Sequence, residues 1–316
     1  MSAREVLVVG AGPAGLAAAI AAARLGASVT LADEGARPGG QLRYRRRLIE
    51  LDTGESVAPA ELAGRLVGEA REAGVRMLPG TSVWGAFGDG GFGASRGDEP
   101  MLFTPDATVL ATGSTDLPLI FPGGSLAGVF TGRALLIMAN DWGVLPARRW
   151  VTVGLSRLPE VETSIAAAGG EVVARAGADA RLRAFGGPLL EMVEIDGRPF
   201  EADGLVVCAG RQPDAALAMM AEVPFGFDAA LGGYAPVLDA YGRTARAGLL
   251  VCGDAAGTCS PELALAEGAV AGAAAAGAGA AGTVAADRDS ARLVERLSAR
   301  RASQAGLRAR YAQPVR

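Results

Sequence analysis

Residues 6–33 read VLVVGAGPAGLAAAIAAARLGASVTLAD, and this stretch decides the fold. The apolar run Val6–Val9 predicts a buried parallel strand. Gly10, Gly12 and Gly15 follow as a G-x-G-x-x-G turn that opens a helix, with Pro13 and Ala14 inside it. Gly10 permits the tight turn, Gly12 lets the backbone approach a pyrophosphate, and Gly15 lets the helix pack on the strand. The helix N terminus would aim backbone N–H groups and its positive dipole end at the phosphates. A second strand ends in Asp33, 18 residues after Gly15, with Glu34 next to it. An acid there accepts hydrogen bonds from the adenosine ribose hydroxyls and favours an unphosphorylated ribose. Arg4 and the alanine-rich run have the outline of an export signal, but glycines at functional spacing and an acid in register assign the segment to the fold.

At 316 residues and 50% apolar, the chain is long enough for two domains with proper cores. Its net charge of −4 carries no nucleic-acid footprint. Cys208, Cys252 and Cys259 make no disulfide framework, so the expected location is the cytoplasm. There is no histidine and no lysine; all 30 basic residues are arginine. A histidine general base, a Ser-His-Asp triad, a histidine-ligated metal and a lysine Schiff base are therefore excluded within these residues. No catalytic side chain and no metal ligand are assigned, and a cofactor must carry the chemistry.

Further along, Gly39-Gly40-Gln41 forms a loop able to approach a ligand closely. Arg43, Arg45, Arg46 and Arg47 read as a solvated loop or as a phosphate or partner contact. Residues 59–74 predict an amphipathic helix, 81–87 and 100–104 strands around a polar turn, and 107–113 a strand ending in Ala111-Thr112-Gly113. A second strand–helix–strand pattern occupies 150–174, followed by a strand at 205–210 and the turn Gly210-Arg211-Gln212-Pro213-Asp214. After Gly253-Asp254, Ser260 predicts a helix N-cap with Pro261 behind it. Residues 268–286 are uncharged, but their alanine and glycine content predicts a tightly packed core helix rather than a membrane span.

These marks resemble the two-dinucleotide-domain flavoproteins, whose compact members include thioredoxin reductase. The resemblance implies an α/β fold of two Rossmann-like domains, the first discontinuous. An FAD-binding domain would comprise 1–115 plus 230–286, a reduced NAD(P)-binding-like domain 116–229, and an arginine-rich helix or tail 287–316. It also implies that Asp254 holds the FAD ribityl chain. Residues 108–147 and 229–268 look more closely like the α-type subunits of hetero-oligomeric amine oxidases and dehydrogenases: sarcosine oxidase, opine oxidase, hydrogen cyanide synthase, and dye-linked proline or hydroxyproline dehydrogenases. In that class a separate β-type FAD-dependent subunit oxidises the amine, often with an iron–sulfur element nearby.

Three departures shape the expectation. Gly154-Leu155-Ser156-Arg157-Leu158-Pro159 has one glycine where a second phosphate-binding turn would have several, so an NAD(P)H site there is doubtful. No C-x-x-C occurs, which removes a disulfide-reductase centre. Residues 287–316 hold no cysteine, so an iron–sulfur centre would come from another chain, such as a small iron–sulfur subunit. The expected function is an FAD-binding electron-transfer or structural subunit of an amine or imino-acid dehydrogenase or oxidase. Two other readings stand beside it: a stand-alone NAD(P)H-dependent flavin reductase, and a non-redox subunit with NAD or ATP in the first site.

Overall fold

The computed structural model describes residues 3–51, 53–154, 157–277, 302–306 and 308–309. In chain order the elements that matter are β1 (Glu5–Val9), α1 (Pro13–Arg24), β2 (Ser28–Asp33), α2 (Pro59–Glu72), β3 (Arg76–Pro79), β4 (Ala107–Leu110), β5 (Val129–Thr131), α3 (Gly132–Leu136), β6 (Arg149–Gly154), α4 (Leu158–Ala167), β7 (Glu171–Ala176), β8 (Gly204–Cys208), β9 (Leu249–Val251) and α5 (Pro261–Ala275). They build two parallel α/β units. One consists of Met1–Leu42, Leu48–Ser114 and Gln212–Arg316; the other of Arg43–Arg47 and Thr115–Arg211.

The first unit carries a five-stranded parallel sheet in the order β9-β4-β1-β2-β3. Strand β1 lies between β2 and β4, and Val9 pairs with both Ala32 and Leu110, so three strand ends come level. The chain leaves β1 in one direction and later returns on its other side. That reversal is where ligands bind in open α/β sheets. Both faces of the sheet are covered, which is why β1 reads as an unbroken apolar run: Val6 and Val8 enter one core cluster, Leu7 and Val9 another.

Helices α1 and α5 cross with almost no side chain between them. A Cβ on Gly268 would lie 2.1 Å from the Ala14 carbonyl oxygen, and one on Gly272 equally close to that of Ala18. The alanine–glycine run is thus a packed core helix as far as Ala275, and residues 278–286 fall outside the described residues. Ser260 caps it, its hydroxyl accepting from Leu263 N, with Pro261 in the first turn. Among the described residues no helix is long and apolar enough to cross a membrane.

Two segments differ from expectation. Residues 212–229, assigned from sequence to the second domain, lie in the first unit. Ala215, Leu217, Ala218, Ala221 and Val223 bury against Leu7, Val9 and Ala32, and that apolar burial determines their place. The polar turn expected at 88–98 contains a strand, Phe92–Arg96, in an antiparallel sheet with Thr81–Ala86 and Glu99–Phe103. Its glycine masked it: the Trp84 ring lies across Gly93, where a Cβ would come within 2.8 Å. Of the tail 287–316, the described part is helical at 302–306. There Gln304 is buried, donating to Ala256 O at 3.0 Å and accepting from Leu238 N at 3.2 Å.

The second unit has a four-stranded parallel sheet in the order β5-β8-β6-β7. A three-stranded antiparallel sheet (Leu182–Gly186, Leu190–Ile195, Arg198–Glu201) accompanies it. The basic cluster belongs to this unit. Arg43 pairs with Asp141, and Arg45 lies 3.5 Å from Glu160. Two of its four arginines are therefore mostly buried ion-pair partners, not solvated loop side chains.

Candidate cofactor site

The glycine turn after β1 has the steric logic its spacing implies. Gly10 sits at φ +102°, and a Cβ there would lie 2.4 Å from Ala111 O, so β4 leaves no room for a side chain. A Cβ on Gly15 would fall 1.7 Å from Gly10 O, which makes glycine obligatory where α1 packs against its own turn. Gly12 is different: nothing lies within 4 Å of the position its Cβ would take. The space beside it is open and borders the N terminus of α1. That terminus has no side-chain cap, and Pro13 stands in its first turn. Orphan N–H groups of a helix start, beside an open backbone, suit an anionic phosphate.

A second loop closes over this turn. Gly39 N donates to Ala11 O at 2.8 Å, and Gly40, at φ +52°, comes so near that a Cβ would lie 2.7 Å from Gly12 Cα. Asp33 ties the end of β2 to the same place. Its Oδ2 accepts from Ala11 N and its Oδ1 from Gly35 N at 2.7 Å. A carboxylate oxygen has two acceptor directions, so these bonds orient the group and leave capacity for a ribose hydroxyl. Glu34 is exposed beside it.

On the other side Gln41 reaches Asp254. Gln41 Nε2 donates to Asp254 Oδ2 at 2.9 Å, Ser114 Oγ donates to the same oxygen at 2.8 Å, and Cys259 N donates to Oδ1 at 2.8 Å. Gly253, at φ +66°, sits against Ala14, and its N–H donates to Glu267 Oε2 at 3.0 Å. Gln41, Ser114 and the Cys259 backbone therefore hold Asp254 in one orientation, next to the Gly253 that sits against Ala14 at the start of α1. Thr112 has a different task. Its hydroxyl donates to Asp214 O, and Gly113 O accepts from Asp214 N at 3.0 Å, so this turn anchors the returning chain.

The sequence-predicted site residues thus gather around the start of α1, except Glu34, which is exposed, and Thr112 and Gly113, which bond to Asp214. Sequence reasoning missed Ser114 and Glu267. Ser114 directly follows Thr112-Gly113, and Glu267 is the one charged residue between Glu262 and Asp287. A lone acid in an apolar helix is the kind of signal that marks a buried hydrogen-bond partner. The residues present fit a dinucleotide: an open Gly12, an uncapped helix start, and a carboxylate at the end of each of β2 and β9.

In the second unit Arg157 is the N-cap of α4 at φ +63°, with Pro159 in the first turn; Leu155 and Ser156 lie outside the described residues. A cap residue with a long side chain stands where a phosphate-binding turn would need bare backbone. Burial, aided by the Asp116 carboxylate, pushes the Cys208 thiol up to about 12.

Residues 4–152 match the pyridine nucleotide-disulphide oxidoreductase family. The alpha chain of sarcosine oxidase from Rhizobium meliloti (strain 1021) is 36% identical over 159 residues, 46% of this chain and 16% of that protein. An opine oxidase subunit of Agrobacterium tumefaciens (strain Ach5) is 35% identical over 164 residues, 49% of this chain and 32% of that protein. The chain thus matches less than a third of the length of one of these relatives and a sixth of the other's. Among solved structures, L-proline dehydrogenase from P. horikoshii superposes with a TM-score of 0.79 at 26% identity, covering 94% of this chain and 59% of that one. T. acidophilum thioredoxin reductase does so at 0.64 and 20% identity, over 87% and 98%; at that identity the likeness shows the fold.

Proposed function

We propose that this flavin oxidoreductase chain is the FAD-binding electron-transfer or structural subunit of a hetero-oligomeric amine or imino-acid dehydrogenase or oxidase, of sarcosine, proline or hydroxyproline type. Substrate oxidation would take place on a partner β-type subunit. One observation supports the reading: the first unit has an open Gly12 beside an uncapped helix start, with Asp33 and Asp254 at its strand ends, while the second begins its helix with Arg157 and Pro159. The lack of histidine, lysine and C-x-x-C in these residues agrees with it. So do its sarcosine oxidase and opine oxidase relatives.

When bound, FAD supplies the capacity to take up and release electrons. The chain's own residues bind and orient. The Gly12 backbone and the α1 N terminus would receive the pyrophosphate, Asp33 the adenosine ribose, and Asp254 the ribityl hydroxyls. Gln41, Ser114 and the Cys259 N–H fix the Asp254 carboxylate, and Glu267 fixes the Gly253 backbone beside it. The N terminus of α5, capped by Ser260, follows a few residues on and would favour an anion near it.

Native mass spectrometry of the chain purified from its host tests the reading. A yellow complex with a second flavoprotein chain is expected. A lone chain with full amine-to-dye activity, or one whose flavin is bleached anaerobically by NADH, would overturn it. A colourless chain with an extractable adenine nucleotide would replace FAD with NAD or ATP.

A further inference from the structure

The carboxyl edge of the second unit's sheet collects arginines in a way that the proposed function does not use. Three adjacent parallel strands each deliver one just beyond their last residue: Arg133 after β5 ends at Thr131, Arg211 after β8 ends at Cys208, and Arg157 after β6 ends at Gly154. All three are half-buried. Tyr44 comes in from the separate 43–47 segment. It is 4% exposed, and its Oη is buried with no hydrogen-bond partner. Arg133, Arg157 and Arg211 all act on that hydroxyl, against one carboxylate, Asp116, which itself accepts from Arg133 N at 2.6 Å. Arg157 feels Arg211 and Arg45 as like charges, and burial, the larger effect, also disfavours its charged form.

A buried hydroxyl without a partner costs stability. An anion that accepts from it would relieve that cost, and guanidinium groups at the same edge favour an anion there. The α4 N terminus, which has no side-chain cap, points the same way. Arg157 and Pro159 at the start of α4 limit what the site can accept. Together they replace the bare backbone on which a dinucleotide pyrophosphate would lie. Flanking ion pairs, Arg43 with Asp141 and Arg45 with Glu160, brace the Tyr44 segment.

We propose that this edge is a binding site for a small phosphate-bearing anion, held by the guanidinium groups of Arg133, Arg157 and Arg211 and by the Tyr44 hydroxyl. The site is distinct from the glycine turn of the first unit and stands whether or not that turn holds FAD.

Titration calorimetry of the full chain with inorganic pyrophosphate, inorganic phosphate and NADH, at constant ionic strength, tests it. Saturable pyrophosphate binding is expected, weakened about tenfold in Arg157→Gln and in Arg211→Gln. Tyr44→Phe should weaken it several-fold while leaving the melting temperature unchanged or raised, since the hydroxyl it removes has no partner. Gly12→Val must leave it intact, which separates this site from the first unit, and flavin content read on the same samples tests the FAD assignment independently. Absence of saturable binding of either anion up to about 10 mM would overturn the proposal. So would NADH that competes with pyrophosphate and binds more tightly, because the edge would then be a working dinucleotide site.

Discussion

Gln41 and Asp254 lie 213 positions apart, yet Gln41 Nε2 donates to Asp254 Oδ2 at 2.9 Å. Ser114 meets the same oxygen, so the carboxylate is oriented from two directions before any ligand arrives. Ser114→Ala and Gln41→Ala should each lower flavin affinity about tenfold by leaving Asp254 under-donated. Equilibrium dialysis against FAD reads the effect. Glu267→Gln, which keeps an acceptor for Gly253 N, should stay near wild type, and Glu267→Ala should not.

Gly12 and Gly15 should separate binding from folding. Gly12→Val adds bulk to open space, so the chain should fold with a melting temperature close to wild type and lose its nucleotide on desalting. Gly15→Ala drives a methyl toward Gly10 O and should cost about 3 kcal/mol or more. Denaturant melts and flavin absorbance of the two variants decide the matter; normal flavin content in Gly12→Val would sink the assignment of the turn.

Gly272→Ala should destabilise by about 3 kcal/mol, because its Cβ would clash with the Ala18 backbone across the α1–α5 crossing. Gly64→Ala, on α2 with nothing within 4 Å of the added Cβ, should stabilise by about 0.5–1 kcal/mol. Opposite signs from the same chemical change would show that packing, not helix propensity, sets the first result.

The Cys208 thiol should resist alkylation at pH 8 in the folded protein, while the half-buried Cys259 reacts first. Burial holds the folded Cys208 thiol at about 12, above the ordinary 9.0 of an exposed thiol. Below pH 9 both states keep the proton and this group makes no pH-dependent change. As pH rises from 9 towards 12 the unfolded chain releases it first, so stability should fall. Cys208→Ala should flatten that alkaline limb in urea melts, and an unchanged limb would assign it elsewhere, for instance to Tyr44, whose hydroxyl burial also raises.

Much of the site was legible because its rules are local. Glycine spacing, a strand-end acid and a Ser-Pro helix start each depend on residues a turn or two apart. The strand at 92–96 was not, since the Trp84 ring that explains Gly93 comes from the neighbouring strand. Residues 212–229 look like an independent segment until their alanines and leucines meet the face of β1. The arginines of 43–47 carry charge in the sequence but no sign of Asp141 and Glu160, which neutralise Arg43 and Arg45.

By itself the sequence determined that a glycine turn with dinucleotide-binding spacing begins at Gly10, opens a helix and is followed by a carboxylate at Asp33, because short-range backbone sterics dictate that spacing. Tertiary structure alone decided that Ser114 bonds to Asp254 and Glu267 to the Gly253 backbone, and that Arg133, Arg157 and Arg211 share one edge. Those relationships arise only when parallel strands far apart in the chain are laid side by side and their carboxyl ends come level.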